Sequence, residues 1–257
     1  MSDVDFGKRS GDYAAHRPGF PESFYDRLET FRRLEGARAL DVGTGPGIVA
    51  LELARRGATV AGLDIAENQI LAARERAATA GLAERCRFDV GGAEKTGFAA
   101  ESFDLVTAGQ CWHWFDESLA IPELLRVLRP GGLLVVAHYC YLALHSEVAK
   151  ATEDLILQFN PSWTMAETTG IYADHIDALV FGGFELVEQF CYDHDRSFTH
   201  AGWRGRMRTC NGVGSGGLSE HEVAEFDDAL AALLARRFPD EPLSVRHRVW
   251  ATVVRRP

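Results

Sequence analysis

Apolar and polar positions alternate on two different periods along residues 37–140. Residues 37–42 are largely apolar and run into a glycine-rich turn, and residues 58–63, 85–90, 103–108 and 133–137 repeat that short strand-like signature. Between them lie 48–56, 67–80 and 117–128, longer stretches of helical composition closed by Gly57, Gly81 and the run Pro130-Gly131-Gly132. Glycine just past a helix supplies the left-handed residue that ends it, and proline cannot continue it. Strands this apolar are buried on both faces, which requires a parallel sheet with helices on either side. The pattern predicts an α/β, doubly wound fold.

Outside this stretch the alternation weakens. The turn Arg17-Pro18-Gly19-Phe20-Pro21 precedes a helix predicted over 22–33, and residues 141–180 read as mainly helical with a break at Asn160-Pro161. Strands are expected at 184–192 and 246–254. Between them lie a glycine-rich stretch at 211–217 and a helix at 219–238, where Ser219 and Glu222 match a capping box. No internal repeat or low-complexity linker divides the chain. It reads as one domain over 1–257, with a core at 37–140 and lid or acceptor-binding segments at 1–36, 141–180 and 193–240.

Charge narrows the choice of partner. Against 27 basic residues stand 37 acidic ones, a formal net charge of −10, which repels a phosphate backbone; nucleic acid is therefore not expected. No apolar run approaches the roughly 20 residues that cross a bilayer, and the polar start of the chain is not a signal peptide. The cysteines are odd in number and scattered, without a C-x-x-C pair. Reduced thiols, a cytoplasmic setting and no metal site are the expectation.

The chemistry concentrates at Leu40-Asp41-Val42-Gly43-Thr44-Gly45-Pro46-Gly47, between a predicted strand and helix. Glycines there let the backbone turn tightly and let a ligand approach main-chain atoms. The spacing G-x-G-x-G is one residue short of a dinucleotide fingerprint, and no G-K-[ST] follows to make a phosphate loop. Asp41 would meet an ammonium group, and Asp64, ending the next strand, could accept both hydroxyls of a ribose. The plainer reading of Asp64 is a residue at the start of a helix. An ammonium and a ribose diol together describe S-adenosylmethionine better than a dinucleotide.

These residues, with Gly62-Leu63-Asp64, Ser102-Phe103-Asp104-Leu105-Val106 and Leu125-Arg126-Val127-Leu128-Arg129-Pro130-Gly131-Gly132, make the sequence resemble the class I S-adenosylmethionine-dependent methyltransferases over about 37–140. The resemblance implies a Rossmann-like, seven-stranded, mostly parallel sheet with helical lid insertions, its last strand (246–254) antiparallel. It implies a cofactor site of Asp41, Gly43, Thr44, Gly45, Gly47, Asp64, Ile65, Gly92, Ala93, Glu94 and Gln110. Relatives often carry Asp where this chain has Gly92, so the adenine contact passes here to backbone or to a neighbour such as Asp89. Tyr13-Ala14-Ala15-His16-Arg17-Pro18-Gly19-Phe20-Pro21 and Trp112-His113-Trp114-Phe115-Asp116 are similar to the small-molecule branch around trans-aconitate methyltransferase-like proteins.

Methyl transfer by in-line displacement needs alignment, which is worth about 7–11 kcal/mol in well-oriented systems. A sulfonium can also rest on aromatic faces, at roughly 0.5–2 kcal/mol each. Trp112 and Trp114 are candidates for such a wall, although their spacing puts them on one side only in extended backbone. His113 is either a general base or a residue that orders its own loop. Tyr139 and Tyr141 could line the acceptor pocket. Trp203, Arg204 and Arg208 belong to a basic run that is either a solvated helix face or a clamp for a substrate carboxylate. Tyr13 and Arg17 could fold over the cofactor. The expected activity is methylation of a small organic acceptor at oxygen, nitrogen or carbon, by a monomer or homodimer. A non-catalytic binding module and an RNA or protein methyltransferase are the alternatives.

Overall fold

The computed structural model describes Arg17, residues 19–214 and residues 218–257, so Tyr13 lies outside the described residues. Strands β1 (Arg38–Val42), β2 (Thr59–Asp64), β3 (Cys86–Val90), β4 (Phe103–Gly109), β5 (Leu128–Tyr141), β6 (Glu185–Phe198) and β7 (Leu243–Arg255) form one sheet in the order β3-β2-β1-β4-β5-β7-β6. Strand β1 pairs in parallel with β2 and β4, β2 with β3, and β4 with β5. β7 runs the other way. The Gly131 N–H donates to Arg256 O, while the Leu142 N–H donates to Arg246 O, so numbering rises on β5 as it falls on β7. The expected seven-stranded, mostly parallel sheet is what the chain forms.

The chain divides into two compact units. The sheet unit spans 19–139, 171–192 and 249–257 and carries helices α1 (Glu22–Phe31), α2 (Ile48–Arg55), α3 (Glu67–Thr79), α4 (Glu117–Val127) and α6 (Asp174–Phe181). The other unit includes Arg17, 140–170 and 193–248, with helices α5 (Glu147–Phe159), α7 (His200–Arg208) and α8 (Glu220–Arg237). Its core buries Ile156, Trp203, Met207, Phe226, Leu230 and Leu234, each worth about 1.5–3 kcal/mol. The capping box forms as the sequence predicts: Ser219 Oγ accepts from Glu222 N, and the Ser219 N–H donates to Glu222 Oε2.

In the sheet unit, the two-residue period of a strand assigns the faces of β5. Leu133, Val135, Ala137 and Tyr139 join a core with Phe24, Leu28, Leu51 and Ile70. Leu134 and Val136 face the opposite core, with Trp112, Ile121, Leu124 and Trp250. β5 begins at Leu128 rather than at the expected 133, because Gly131 and Gly132 exchange backbone hydrogen bonds with Arg256. Sequence reading did not delimit α7, a short helix with two glycines and three arginines and no apolar stripe. Its start is fixed by Thr199, whose Oγ1 accepts from the Gly202 N–H.

Candidate functional site

At the carboxyl edge of β1 the chain turns through Gly43, Gly45 and Gly47, with φ of +62°, +54° and +77°. Only glycine adopts these angles without steric cost. Space is equally tight at the first of them, where a Cβ would stand 2.7 Å from Cys111 Sγ. Beneath the turn lies Asp41, 1% exposed. Its two oxygens accept from Thr44 Oγ1 and Thr107 Oγ1, both at 2.6 Å. Burial pushes its carboxyl up to about 6, against the opposing pull of the two hydroxyls. The expectation that Asp41 meets an ammonium group directly is therefore corrected: it is closed off from solvent and fastens the loop to β4. Cys111, whose thiol donates to Val42 O, lies under the same turn, and burial raises its pKa far above the ordinary value. It is chemically quiet.

Asp64 ends β2 with its carboxylate accepting the Gly45 N–H at 2.8 Å and the Ala66 N–H at 2.9 Å. Burial raises its pKa, and those backbone donors oppose the rise. One carboxylate thus ties the loop to the start of α3, as the plainer reading held, and each oxygen retains further lone pairs to offer. Beside it Ile65 is 77% exposed, a large apolar side chain with no cover. Ala93 is buried and Glu94 accepts from the Asp116 N–H at 3.1 Å. A Cβ at Gly92 would lie 2.8 Å from Glu94 Oε2, so the missing side chain leaves room for this carboxylate. Asp89 is held by Arg87 at 2.6 Å. Gln110, at φ +66°, donates from Nε2 to Tyr139 O and links the ends of β4 and β5.

The turn after β4 separates the two tryptophans. Trp112 to Trp114 form a 3-10 turn, not extended backbone, and the indoles diverge. Trp112 is fully buried and donates from Nε1 to Glu117 Oε1 at 2.6 Å, whereas Trp114 is exposed. His113 is exposed too, with its ring 4.7 Å from Trp114 and 5.7 Å from His138.

His138 belongs to a cluster that sequence reading missed. Its ring stacks on Tyr172 at 3.8 Å and lies 5.6 Å from His175 and 5.9 Å from Trp250. His175 sits with Nδ1 at 3.4 Å from the Glu117 carboxylate that also accepts from Trp112. Burial lowers the pKa of both imidazoles: His113 and His175 lower that of His138 further, while Glu117 pulls that of His175 back up. His138 Nε2, His175 Nε2 and Trp250 Nε1 are buried and have no hydrogen-bond partner among the described residues. One signal was available. The face alternation of 133–137, carried one residue further, puts His138 beside Val136. Nothing local marks Tyr172 or His175.

Six further candidates are placed as follows. Tyr139 packs against Phe20 on the face of β5 away from His138, which removes it from that cluster. In the other unit Trp203 is fully buried, donating from Nε1 to Thr152 Oγ1 at 3.0 Å, and Tyr141 meets it edge-on at 5.4 Å. Both are core. Arg204 and Arg208 do clamp a carboxylate, but it is the chain's own Asp227. Arg17 donates to Thr209 O at 3.2 Å.

Comparison with known proteins agrees with this geometry. A match to a methyltransferase domain family covers residues 40–136. The methyltransferase GfsG of Streptomyces halstedii is 39% identical over 170 residues, 65% of this chain and 58% of that protein. A ubiquinone biosynthesis O-methyltransferase of Rhizobium etli is 36% identical, covering 65% of this chain and 68% of its own length. Several other curated relatives are spanned over only 50% of their length. Among solved structures, that of a proposed type II methyltransferase from Anaeromyxobacter dehalogenans superposes with a TM-score of 0.66 at 26% identity, covering 93% of this chain and 97% of that one. The glycine cradle, the carboxylate ending β2 and the uncovered Ile65 fit S-adenosylmethionine, and with these relatives they show that the chain belongs to the class I S-adenosylmethionine-dependent methyltransferases.

Proposed function

We propose that the protein methylates a small organic acceptor by direct displacement, with S-adenosylmethionine as donor. The observation that carries this reading is the tie between Gly45 and Asp64: a left-handed glycine amide and a half-buried carboxylate joined at 2.8 Å, next to an open apolar side chain. When bound, S-adenosylmethionine supplies an electrophilic methyl group on a positively charged sulfur. Every other contribution comes from the chain. Asp64 holds the ribose hydroxyls through its remaining lone pairs, Ile65 covers one face of the adenine, and Glu94 beside Gly92 meets the adenine edge. Gly43, Thr44, Gly45 and Gly47 lie along the methionine portion, with Asp41 acting through Thr44 rather than by contact. Because the loop is held by internal hydrogen bonds, little ordering remains to be done on binding.

Helical segments at 141–180 and 193–240 set acceptor choice in this reading, since they lie outside the stretch common to the family. The net charge of −10 supports a small molecule over nucleic acid. Among the described residues no helix is long and apolar enough to cross a membrane. Calorimetric titration with S-adenosylhomocysteine tests the reading: saturable binding is expected, and no heat at high micromolar ligand ends it. An acceptor screen reading loss of methyl donor separates an enzyme from a non-catalytic module.

A further inference from the structure

The cluster at the end of β5 contains three buried ring nitrogens with no hydrogen-bond partner among the described residues: His138 Nε2, His175 Nε2 and Trp250 Nε1. Leaving one such group unsatisfied costs about 1–3 kcal/mol, so several in one place call for an external partner. Their hydrogen-bonding senses differ. The indole N–H can only donate. His175 has Nδ1 facing the Glu117 carboxylate at 3.4 Å; a carboxylate accepts, so the proton sits on Nδ1 and Nε2 is left as an acceptor. The ring centroids of His175 and Trp250 are 6.2 Å apart at 66°. A hydroxyl has both senses, able to donate its hydrogen to His175 Nε2 and to accept from Trp250 Nε1.

The surroundings specify what carries that hydroxyl. His138, Tyr172 and His175 lie nearly parallel, with interplanar angles of 20°, 21° and 2° between pairs, and Trp250 stands across them. Tyr172, itself a phenol, stacks on His138 at 3.8 Å, and a planar aromatic ring is the shape that such stacking favours. Packing is continuous to the cofactor loop, because Gly43 abuts Cys111 and Phe115, and Phe115 meets Trp112 edge-on at 5.8 Å. The groups facing His175 are Glu117, Trp112, Tyr172, His138, Trp250 and Asp174. Of the two buried imidazoles, His175 is the one with a carboxylate, that of Glu117, against its ring.

We propose that His175, oriented by Glu117, is the general base for methylation of a phenolic hydroxyl, with Trp250 donating to the acceptor oxygen. This rests on the methyltransferase reading above. In the step, the O–H bond breaks as the O–CH3 bond forms. The hydroxyl proton passes to His175 Nε2, and the resulting imidazolium is balanced by Glu117. The electron pair of the broken methyl–sulfur bond stays on the donor sulfur. An imidazole suits a phenol or enol but not an aliphatic alcohol, whose proton is far less acidic. His113, exposed on the turn and 5.7 Å from His138, relays protons to solvent in this scheme rather than meeting the acceptor.

The probe is 4-nitrophenol, whose phenolate absorbs in the visible, added to the full chain in the presence of S-adenosylhomocysteine. Wild type is expected to bind it and raise its apparent ionisation constant about tenfold, equivalent to about 1.4 kcal/mol. His175→Gln should keep wild-type affinity for S-adenosylhomocysteine and lose the extra phenolate. Glu117→Gln, acting through His175, should lose most of it. Nitrogen-15 NMR of the wild-type imidazoles supplies a readout independent of any variant's folding, with the Nδ1–H tautomer expected at His175. No binding of the probe, binding without added phenolate, retention of it by His175→Gln, or an Nε2–H tautomer overturns the proposal. If S-adenosylhomocysteine itself fails to bind wild type, the failure lies with the methyltransferase reading instead.

Discussion

The glycine loop and the histidine cluster stand at the carboxyl edge of the same sheet and treat their polar groups in opposite ways. Around the loop, Asp41, Thr44, Thr107 and the Gly45 amide all have protein partners, at 2.6–2.8 Å. Around His138 and His175, three ring nitrogens have none among the described residues. The loop is finished before any ligand arrives, and its polar network stabilises the fold. The cluster leaves buried ring nitrogens unpaired among the described residues, which costs stability. On the reading proposed above, the difference separates holding a common cofactor from choosing and activating a particular acceptor.

Substitutions at the two places should therefore move stability in opposite directions. The largest effect is expected from Gly43→Ala, which sets a Cβ 2.7 Å from Cys111 Sγ at φ +62°. Overpacking together with a left-handed alanine should destabilise by about 3–4 kcal/mol in denaturant unfolding. A loss under about 1 kcal/mol would mean the loop is looser than described.

Asp41 gives a pH test. Its carboxyl lies above the ordinary 3.8, at about 6, so protonation favours the folded form. That contribution is full below about pH 4 and is lost as pH rises through 6, a change of about 3 kcal/mol. Glu123, pulled down to about 2 by Arg126, acts in the opposite sense, stabilising above its ordinary value of 4.5 and losing that on acidification. The difference between wild type and Asp41→Asn across pH 4–7 isolates the buried carboxyl. Equal slopes for the two proteins would remove it.

Next in size is Asp64→Ala. Removing a charged acceptor should weaken S-adenosylhomocysteine binding by about 2 kcal/mol, roughly 30-fold, by calorimetry. On the other side of the comparison, His138→Phe replaces an orphaned imidazole by an apolar ring among aromatics. It should raise stability by about 1 kcal/mol while lowering turnover of a hydroxylated acceptor. A loss of stability would show that His138 is already satisfied. The smallest effect is expected from Arg208→Ala. Asp227 keeps Arg204 and the pair is partly exposed, so a change of about 0.5 kcal/mol and no effect on cofactor binding should follow.

Much of the first region was legible in the sequence, and little of the second. Glycine spacing, the acid ending β2 and the apolar strands are local signals, and strand, turn and helix follow one another within a few residues. What local pattern could not show was where Asp41 points, since a carboxylate two residues before a glycine turn reads the same facing ligand or facing Thr107. The histidine cluster draws on α4, β5, α6 and β7, elements far apart in sequence. Arg204 and Arg208 misled for the same reason: their partner Asp227 lies on another helix.

Strand β5 places His138 and Tyr139 on opposite faces, one with the unsatisfied ring nitrogens and the other in a packed aromatic core with Phe20. Insertion or loss of a single residue within 133–137 would exchange them, presenting a phenol where the imidazole belongs and an imidazole to a dry core. Side chains on β5 can therefore be exchanged at fixed strand length, whereas a change of length inverts its two faces.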